Sequence, residues 1–537
     1  MVLLGRMTSR RFVGTLFCAV WFSFVAGRTA LAANQPNILI LITDDQRWDA
    51  IRAYGRHEWL QTPNMDKLAR DGVMFTKAFC QAPLCNASRT SLFSGRYPHR
   101  NGIYGFEVAP HDSPHLRPWL PELLGAAGYQ RAHYGKNGAS RVMKNGQGRW
   151  VGTGDWEYPD GNTELGDYKK RDANEATLDV AGLGIVRRTS KGGVIIAGKH
   201  PNPAGQTIDA FIADDAVAFI ESRKDDQPAP IFVNVGFQFP HTPVLVPAPY
   251  DELYDPAKMP YATLSDAERS RMATQVKYAV EGFGMHGLTE AQVRRSVAHY
   301  YGYTTYGDVQ LGRVVDAFKA KSERQGRPWL IVLAADNGWH LGEHGMNAKF
   351  TYYDVSVHVP LIVVSSDGRF PKGKRFDRFV EFVDIVPTVL AAAAVTAPNY
   401  LDGHDLAPVV SGAKPARTEA ISEQFHVMRR AGIRALHDGK EYLLAIRTKP
   451  DQFNMVRDFA WLQTARTSEL DAHLFDVAAD PGEVANLASE PKYLPIVEAL
   501  RARLQQRLYD GRIEPRWQDI LPQRHSYGEG KLDRLID

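Results

Sequence analysis

The sequence predicts an α/β fold, in which a large mixed, mostly parallel sheet is sandwiched by helices and followed by a smaller C-terminal α+β domain. Two observations predict it. Short, continuous apolar runs, typical of strands buried on both faces, alternate with longer segments of helical periodicity. After about residue 415, this alternation gives way to short strands followed by one helix. A chain of 537 residues is long enough for a large domain with a smaller partner.

The large domain is predicted to contain buried strands and the helices that separate them. The strands are expected at Asn37–Thr43, Ile231–Val235, Leu330–Ala335 and Leu361–Ser365. The helices are expected at Pro63–Asp71, Ile208–Arg223, Gln292–Lys321 and Val383–Ala394. Because strands that alternate with helices form parallel βαβ units, the sheet is expected to be largely parallel.

The remaining segments set the domain boundaries. Short strands are predicted at Ala431–Leu436 and Glu441–Ile446, with a helix near Tyr493–Leu508. We therefore predict a large domain over residues 33–415 and a C-terminal α+β subdomain over residues 416–537. Residues 137–205 are rich in Gly, Lys and Arg with weak periodicity, which predicts long loops or an insertion.

The N-terminus has the three parts of a secretory signal peptide, predicted over residues 1–32. Its charges are all arginines, its apolar stretch spans residues 12–27, and small residues surround Leu31 at its end. This stretch is shorter than the roughly 20 residues of a membrane span, although an uncleaved anchor is the alternative. Ser9-Arg10-Arg11 also resembles a twin-arginine signal. The chain is thus expected to be exported, to the periplasm or the medium, with no stable membrane span.

Charge and cysteine content narrow the function classes. The formal net charge is +3, from 64 Lys+Arg and 61 Asp+Glu, which argues against nucleic-acid binding by bulk electrostatics. The cysteines are Cys18, which lies in the predicted signal, Cys80 and Cys85. So few cysteines exclude a disulfide scaffold.

Polar side chains follow two of the predicted strands directly. Asp44 and Asp45 come after the first strand, and Asp336 and Asn337 come after Leu330–Ala335. In open α/β sheets, ligand sites gather beyond the carboxyl ends of strands. Carboxylate and amide oxygens suit a hard cation such as Ca²⁺ or Mg²⁺ better than zinc. The alternative for each acidic pair is a solvated turn or a helix cap.

The most specific motif is CNASRTSLFSGR, which runs from Cys85 to Arg96. This motif resembles the signature of the type I sulfatases of the alkaline phosphatase superfamily. The matching features are the cysteine, a small residue two positions later, Arg89 and a following Ser-Gly-Arg. The resemblance implies that a formylglycine-generating or sulfatase-maturing enzyme oxidises Cys85 to formylglycine, whose hydrate is the nucleophile and also faces the cation. A helix N-terminus favours an anionic sulfate ester. Arg89 is four residues on, so it lies on the same helical face as residue 85.

Further motifs of this family follow in order, so that the resemblance spans roughly residues 36–490. Gly135-Lys136 resembles a motif whose lysine reaches the sulfate, and Lys349 stands where the family has a second such lysine. The segment from Gly236 to Pro243 resembles the one that carries a histidine, here His241, near the leaving-group oxygen. Later matches are Asp336-Asn337-Gly338, Leu341–Gly345, Leu474–Asp476, Asp480–Glu483 and Asn486-Leu487.

One departure concerns a proton acceptor. The family usually has Gly-Lys-x-His, but Gly138 stands at the histidine position of this chain. In the family this imidazole helps to position or deprotonate the hydrated aldehyde. Asn137, His133 and His340 are the candidates to replace it.

The resemblance implies a sulfatase that acts on sulfated sugars or glycans with one divalent cation, Ca²⁺ in preference to Mg²⁺. A phosphomonoester or phosphonate-ester hydrolase of the same superfamily is the first alternative. An inactive carbohydrate-binding homologue is the second, and only Gly138 supports it. Cys80 is expected to stay a free thiol. Cationic and aromatic residues that are candidates for a sugar subsite are Arg141, Lys144, Arg149, Trp150 and Trp156.

Overall fold

The computed structural model describes residues 35–105, 108–109, 118–138, 141–142, 161–172, 182–188, 193–272, 274–424, 430–447, 462 and 464–508. The predicted signal segment 1–32 lies outside these residues. So do Lys144, Arg149, Trp150 and Trp156, and only the backbone of Arg141 is described. Within the described residues, no helix combines the length and the apolar character that a membrane crossing requires.

The strands, in chain order, are β1 (Asn37–Thr43), β2 (Val73–Phe79), β3 (Val108–Ala109), β4 (Gln130–Gly135), β5 (Arg141–Val142), β6 (Gly161–Glu164), β7 (Val186–Arg187), β8 (Ile195–Lys199), β9 (Ile231–Gly236), β10 (Leu245–Val246), β11 (Trp329–Ala335), β12 (Leu361–Ser365), β13 (Lys374–Glu381), β14 (Glu419–Gln424), β15 (Arg430–His437), β16 (Lys440–Arg447) and β17 (His473–Asp476). The α-helices are α1 (Pro63–Asp71), α2 (Cys85–Ser94), α3 (Pro98–Asn101), α4 (Leu120–Ala126), α5 (Leu165–Arg171), α6 (Ile208–Ser222), α7 (Asp266–Arg271), α8 (Thr274–Phe283), α9 (Glu290–Arg324), α10 (Asp354–Val357), α11 (Ile385–Ala392), α12 (Leu406–Val410) and α13 (Leu494–Leu508).

The main sheet has eight strands in the order β13-β2-β12-β11-β1-β9-β4-β6. Every neighbouring pair is parallel except the two that β12 makes, with β11 and with β2. Among the described strands of this sheet, β12 is therefore the one that runs antiparallel to its neighbours. The prediction of a large mixed, mostly parallel sheet is confirmed.

Strand β1 shows why its sequence is continuously apolar. Ile38, Ile40 and Ile42 belong to the core cluster on one face of the sheet, whereas Leu39 and Leu41 belong to the cluster on the other face. Helices α2 and α11 contribute to the first cluster, and α1, α6 and α9 contribute to the second. Because both faces are covered, the central positions of this strand, from Ile38 to Ile42, are all apolar. Each large aliphatic side chain buried in this way contributes about 1.5–3 kcal/mol.

The C-terminal part forms a separate antiparallel sheet in the order β14-β15-β16-β17. Helix α13 packs on it through Leu500 and Leu504, which share a core cluster with Ile433 and Leu444. A smaller C-terminal α+β unit was predicted, and its presence is confirmed. The boundary between residues 415 and 416 stays a prediction.

Residues 137–205 contain more regular structure than the predicted loops. In their described part, β6 pairs with β4 at the edge of the main sheet, α5 follows directly, and β7 pairs with β8. The sequences GNTE and VR of β6 and β7 are too short and too polar to show a strand period. Tertiary pairing, rather than a local pattern, decides their conformation.

Glu483 predicts a pH dependence of stability. Its side chain is buried, its Oε2 accepts a hydrogen bond from Asp354 N at 2.8 Å, and its Oε1 accepts none. Burial raises its pKa to about 8, from 4.5, against the opposing effect of Arg434. Between these values the folded state holds a proton that the unfolded state releases, so stability falls as pH rises through this window. One pKa unit corresponds to about 1.4 kcal/mol.

As pH rises from 5 to 8, the free energy of unfolding of Glu483→Gln is therefore expected to fall by a few kcal/mol less than that of the parent chain. Denaturant unfolding at several pH values measures the two slopes. The matched control is Glu490→Gln, because that carboxylate is half exposed. Equal slopes for the parent chain and Glu483→Gln would contradict the prediction.

Candidate active site

Four parallel strands of the main sheet end at the same edge. Thr43 of β1 lies opposite Ala335 of β11, and Ile42 lies opposite Gly236 of β9. Gly236 in turn lies opposite Gly135 of β4. The segments that follow these strands therefore begin side by side, as expected for the carboxyl ends of parallel strands. They carry the predicted residues Asp44, Asp45, Lys136, His241, Asp336 and Asn337.

Two glycines allow the ends of β4 and β9 to approach closely. Gly135 has φ 94°, and a Cβ on Gly236 would collide with the carbonyl oxygen of Lys136. Lys136 N donates to Gly236 O at 2.7 Å. This approach places Lys136 beside the segment that leads to His241.

The predicted oxygen ligands form one buried cluster. Asp45 N and Asn337 N both donate to Asp336 Oδ1, at 3.1 and 2.8 Å. Asn337 Nδ2 donates to Asp45 Oδ1 at 2.7 Å. Asp44 lies in the same cluster, and all four side chains are fully buried. Because these buried carboxylates lie so close to one another, they require positive charge beside them.

The donor set fits a hard divalent cation. Asp44 Oδ1, Asp45 Oδ2 and Asn337 Oδ1 are buried oxygens that accept no hydrogen bond. One ligand atom each from Asp44, Asp45 and His241 lies within 4.8 Å of the others. Both carboxylate oxygens of Asp336 already accept hydrogen bonds, so that Asp336 is the most constrained of the predicted ligands. Oxygen-rich sites of this kind suit Ca²⁺ or Mg²⁺.

Three cationic side chains surround these carboxylates. Lys349 Nζ lies 2.5 Å from Asp45 Oδ1 and 3.9 Å from Asp44 Oδ1, and Lys136 Nζ contacts Asp44 Oδ2. Arg89 donates from Nε to Asp336 Oδ2 at 2.8 Å. Since three cations balance the three carboxylates Asp44, Asp45 and Asp336, a bound divalent cation would make the site electropositive and suited to an anion.

Cys85 lies at the start of helix α2, next to these cations. The helix runs from Cys85 to Ser94, is buried along its length, and ends at Gly95 with φ 65°. Burial opposes the raised pKa values of Lys136, Lys349 and Arg89, the nearby aspartates raise them most, and the Cys85 sulfur adds to the increase in each case. A group attached at residue 85 therefore meets the helix N-terminus and all three cations.

Cys80 has a different environment. It is fully buried, its Sγ contacts Ser356 O at 3.9 Å, and burial raises the pKa of its thiol. Neither Cys80 nor Cys85 is in a disulfide. An apolar, buried thiol with a raised pKa is unreactive, in line with the prediction that Cys80 stays free.

The two adjacent aspartates differ in pKa. Burial alone would raise both, but Lys136, His241, Arg89 and Lys349 lower the pKa of Asp44 well below its usual range. The pKa of Asp45 is raised by burial and by the charges of Asp44 and Asp336, although Lys349 opposes the shift.

His241 is the least buried member of the site, with 26% of its side chain exposed. Its Nε2 lies 3.6 Å from Asp45 Oδ2, and its Nδ1 lies 3.2 Å from Gln238 Nε2. Burial and the nearby Lys136 lower its pKa well below 6.5. Its Nδ1 also contacts Thr242 O, which can only accept, so the neutral ring carries its proton on Nδ1 and presents Nε2 as a proton acceptor at the open side of the site.

The position of the missing histidine also faces the site. Gly138 has φ 63°, and a Cβ there would lie 3.0 Å from Arg89 Cδ and 3.6 Å from Lys136 Cε. Asn137 is buried next to it, and its carbonyl oxygen is 3.5 Å from Arg89 Nη1. Of the three candidates for the replacement, Asn137 is the one adjacent to Lys136 and Arg89.

The other two candidates have structural partners on both ring nitrogens. His133 bonds to Asn234 Nδ2 at 2.9 Å and to Gly135 O at 3.1 Å. His340 bonds to Thr351 Oγ1 at 2.8 Å and to Glu343 O at 3.1 Å. Burial lowers the pKa of each histidine to about 3. Both rings are therefore neutral, and both nitrogens of each ring already bond to other parts of the protein.

The sequence did not indicate the residues that hold the backbone of the site segments through hydrogen bonds. Tyr300 of α9 donates to Asp45 O at 2.6 Å, and Asp209 of α6 accepts from Gln238 N at 2.7 Å. The only local signal is the run HYYGYTTYGD at residues 299–308, which is unusually rich in tyrosine for a helix. Its contacts depend on how α9 packs, which the sequence pattern does not encode.

Comparison with protein families gives two matches. The sulfatase family model matches residues 36–395. The model of the C-terminal part of N-sulphoglucosamine sulphohydrolase matches residues 342–510. The first match covers more than half of the chain and contains every residue of the site.

Individual proteins are similar over most of their length. PehA of Trinickia caryophylli, a multifunctional alkaline phosphatase superfamily protein, is 27% identical over 500 residues, which is 86% of this chain and 93% of PehA. A Δ4,5-hexuronate-2-O-sulfatase of Bacteroides thetaiotaomicron is 26% identical over 89% of this chain and 90% of its own. The crystal structure of a phosphonate monoester hydrolase of Agrobacterium radiobacter aligns with a TM-score of 0.68 and 22% identity, over 88% of this chain and 95% of the hydrolase. This last likeness concerns the fold alone.

Proposed function

The chain belongs to the sulfatase family and is a sulfuric ester hydrolase, and from this premise we propose that it releases sulfate from sulfated sugars or glycans by using a formylglycine at position 85. The observation that carries the proposal is the convergence at residue 85. Residue 85 begins helix α2, Ser88 and Arg89 in the first turns of this helix contact Asp336, and Lys136 and Lys349 pair with the neighbouring ligands Asp44 and Asp45. A thiol alone does not need these surroundings, whereas an anionic ester beside a hydrated aldehyde does.

A hydrated formylglycine supplies one hydroxyl that attacks sulfur and a second hydroxyl whose deprotonation later expels sulfate. The chain's own task is to hold the ester in line for that attack. Arg89, Lys136 and Lys349 would bind the sulfate oxygens, and they are fixed before the substrate arrives by the ion pairs with Asp336, Asp44 and Asp45. Such preorganised charges stabilise a transition state without further rearrangement.

The departing oxygen needs a proton when the leaving group is an alcohol. His241 lies on the open side of the site and, helped by Lys349, is the proposed donor. The charge of Lys349 is secured because Asp45 raises its pKa against the effect of burial. Lys349 thus stays an ammonium, and it is the proposed source of the proton that His241 Nε2 accepts and passes to the leaving oxygen.

The cation is proposed to be Ca²⁺, with Mg²⁺ as the alternative. Asp44, Asp45, Asp336 and Asn337, together with residue 85, would hold it. The bound ion would supply positive charge to the sulfate and to the nucleophilic hydroxyl. The buried oxygens that accept no hydrogen bond support its presence.

The substrate class and location are the finer parts of the proposal. A relative that spans 89% of this chain is a hexuronate-2-O-sulfatase, which supports a sulfated sugar as substrate. The N-terminal signal pattern supports export to the periplasm or the medium, with a maturation enzyme as a transient partner. Sulfated glycans occur outside the cytoplasm, so the proposed substrate class and the proposed export are consistent with each other.

A phosphonate- or phosphomonoester hydrolase is the second candidate function. One observation favours it: the relative PehA is a multifunctional alkaline phosphatase superfamily protein. The electropositive site would accept either tetrahedral anion. An inactive carbohydrate-binding protein is disfavoured, because Gly138 is the one departure among the predicted site residues.

Parallel assays separate these functions. We expect 4-nitrophenyl sulfate to be hydrolysed with a higher kcat/KM than 4-nitrophenyl phosphate or phenylphosphonate esters. A chelator should abolish the activity, and Ca²⁺ should restore it more fully than Mg²⁺. Preference for the phosphorus esters would select the second candidate, and activity that withstands exhaustive chelation would contradict the role of the cation.

A further inference from the structure

Two buried tyrosines on helix α9 contact the supports of the active site. Tyr300 and Tyr303 are three residues apart, so they lie on the same face of the helix. Tyr300 reaches the backbone at Asp45, and Tyr303 reaches the carboxylate of Asp209. The two hydroxyls thus contact two different segments, Asp45 in one and Asp209 in the other.

Tyr300 is bonded to the segment that carries the metal ligands. Its hydroxyl donates to Asp45 O at 2.6 Å and accepts from Arg47 N at 3.0 Å, and 1% of the residue is exposed. Asp45 has φ 61°, a left-handed conformation that is unfavourable for a non-glycine residue. Such a conformation persists only where the surroundings impose it. The bond from Tyr300 holds the carbonyl of this strained residue, and the bond to Asp336 Oδ1 holds its N–H.

Tyr303 acts on the histidine segment through one intermediate. Its hydroxyl donates to Asp209 Oδ2 at 2.8 Å, and Asp209 Oδ1 accepts from Gln238 N at 2.7 Å and from Phe239 N at 3.3 Å. Gln238 O in turn accepts from His241 N at 2.9 Å. A fully buried carboxylate that accepts three hydrogen bonds is a rigid anchor, and two hydrogen bonds, through Gln238, link it to the backbone of His241.

We propose that Tyr300 and Tyr303 are positioning residues of the active site: Tyr300 orients the cation ligand Asp45, and Tyr303, through Asp209, orients His241. The inference rests on the proposed function for the role of His241 in catalysis. The part that concerns Asp45 is independent of turnover, since it is measured as cation affinity. Helix α9 therefore influences both the cation affinity of the site, through Asp45, and the orientation of its proposed proton donor, His241.

Tyr300→Phe tests the first part, because it removes the hydroxyl and keeps the ring. We expect the Ca²⁺ affinity, measured by calorimetric titration of the cation-free protein, to fall 10–100-fold, the range seen when partners of metal ligands are removed. The matched control is Tyr301→Phe, a neighbouring buried tyrosine whose hydroxyl bonds to His57 Nε2 at 3.0 Å. The control should bind Ca²⁺ like the parent chain.

The melting temperature of each cation-free variant separates positioning from folding. An affinity loss in Tyr300→Phe with a melting temperature close to that of Tyr301→Phe supports the proposal. Unchanged Ca²⁺ affinity in Tyr300→Phe, or the same loss in both variants, overturns this part. If the parent chain binds Ca²⁺ but releases no sulfate, the proposed function fails while this measurement still decides the role of Tyr300.

Tyr303→Phe tests the second part through the leaving group. A displaced proton donor should matter for sugar sulfates, whose alcohol leaves poorly, and hardly at all for 4-nitrophenyl sulfate, whose phenolate leaves unaided. We expect kcat for the sugar sulfate to fall at least about 10-fold while kcat for the aryl sulfate stays within about 2-fold, since general acid catalysis contributes 10²–10⁴-fold in full. Equal losses for both substrates, or no loss for either, overturn this part. Ca²⁺ affinity should be unchanged in this variant.

Discussion

Cys85→Ala is expected to lose sulfate-ester hydrolysis almost completely, by about 10⁴-fold or more in kcat, because it removes the residue from which the nucleophile is made. The cations around it would still bind the anion, so KM or a dissociation constant for the sulfate ester should change far less than kcat. Steady-state sulfate release and equilibrium binding of the same ester measure the two quantities.

Cys85→Ser gives a sharper version of this prediction. A serine hydroxyl at the helix N-terminus can attack sulfur once, but the resulting sulfate ester has no second hydroxyl to expel the group. We therefore expect at most one turnover and a sulfated serine detectable by mass. The matched control is Cys80→Ala, a buried thiol five positions earlier whose Sγ contacts Ser356 O and which is not the residue converted to the nucleophile. Sustained turnover by Cys85→Ser at the parent rate would contradict the proposed nucleophile.

Asp45→Asn is expected to have the second largest effect. Its kcat/KM should fall by about 10³-fold, and its Ca²⁺ binding should become too weak to measure. The substitution removes a charge from the cation site and leaves the buried ammonium of Lys349, now 2.5 Å from Asp45 Oδ1, without its carboxylate. Removing one partner of a buried ion pair costs about 3–5 kcal/mol, because the other charge remains desolvated. Calorimetric titration with Ca²⁺ and kinetics on one aryl sulfate measure both consequences.

The control for Asp45→Asn is Asp66→Asn. Asp66 is also buried and accepts hydrogen bonds from Ala53 N and Thr62 Oγ1, but these lie outside the site. It should cost stability without changing Ca²⁺ affinity. An Asp45→Asn protein that binds Ca²⁺ and turns over like Asp66→Asn would contradict the assigned cation site.

Several elements could be predicted from the sequence because burial determines their composition. Strand β1 and helix α1 are observed with the predicted bounds, Asn37–Thr43 and Pro63–Asp71. Strand β13 was not predicted, since it lies at the sheet edge and mixes charged with apolar residues in KRFDRFVE. Strand β4 was not predicted either, because QRAHYG carries polar residues whose partners come from other strands.

The site could be predicted as far as strand ends and family motifs reach. Asp44 and Asp336 follow strands that pair in register, so their proximity is a direct consequence of the parallel sheet. The supports of the site are different, because Tyr300 and Asp209 reach it only through the packing of α9 and α6. For the same reason the sequence could not distinguish His133 from Asn137 as a substitute for the missing histidine, since the bond between His133 and Asn234 joins separate strands.

The chemical state of residue 85 tests the central claim most directly. The exported protein should be isolated, its cation-loaded form assayed for sulfate release, and the peptide that contains residue 85 weighed by mass spectrometry. We predict a peptide lighter than the cysteine form by the difference between a thiol and an aldehyde, and a modified fraction that scales with specific activity across preparations. Full activity from protein that carries an unmodified Cys85 thiol would contradict the account.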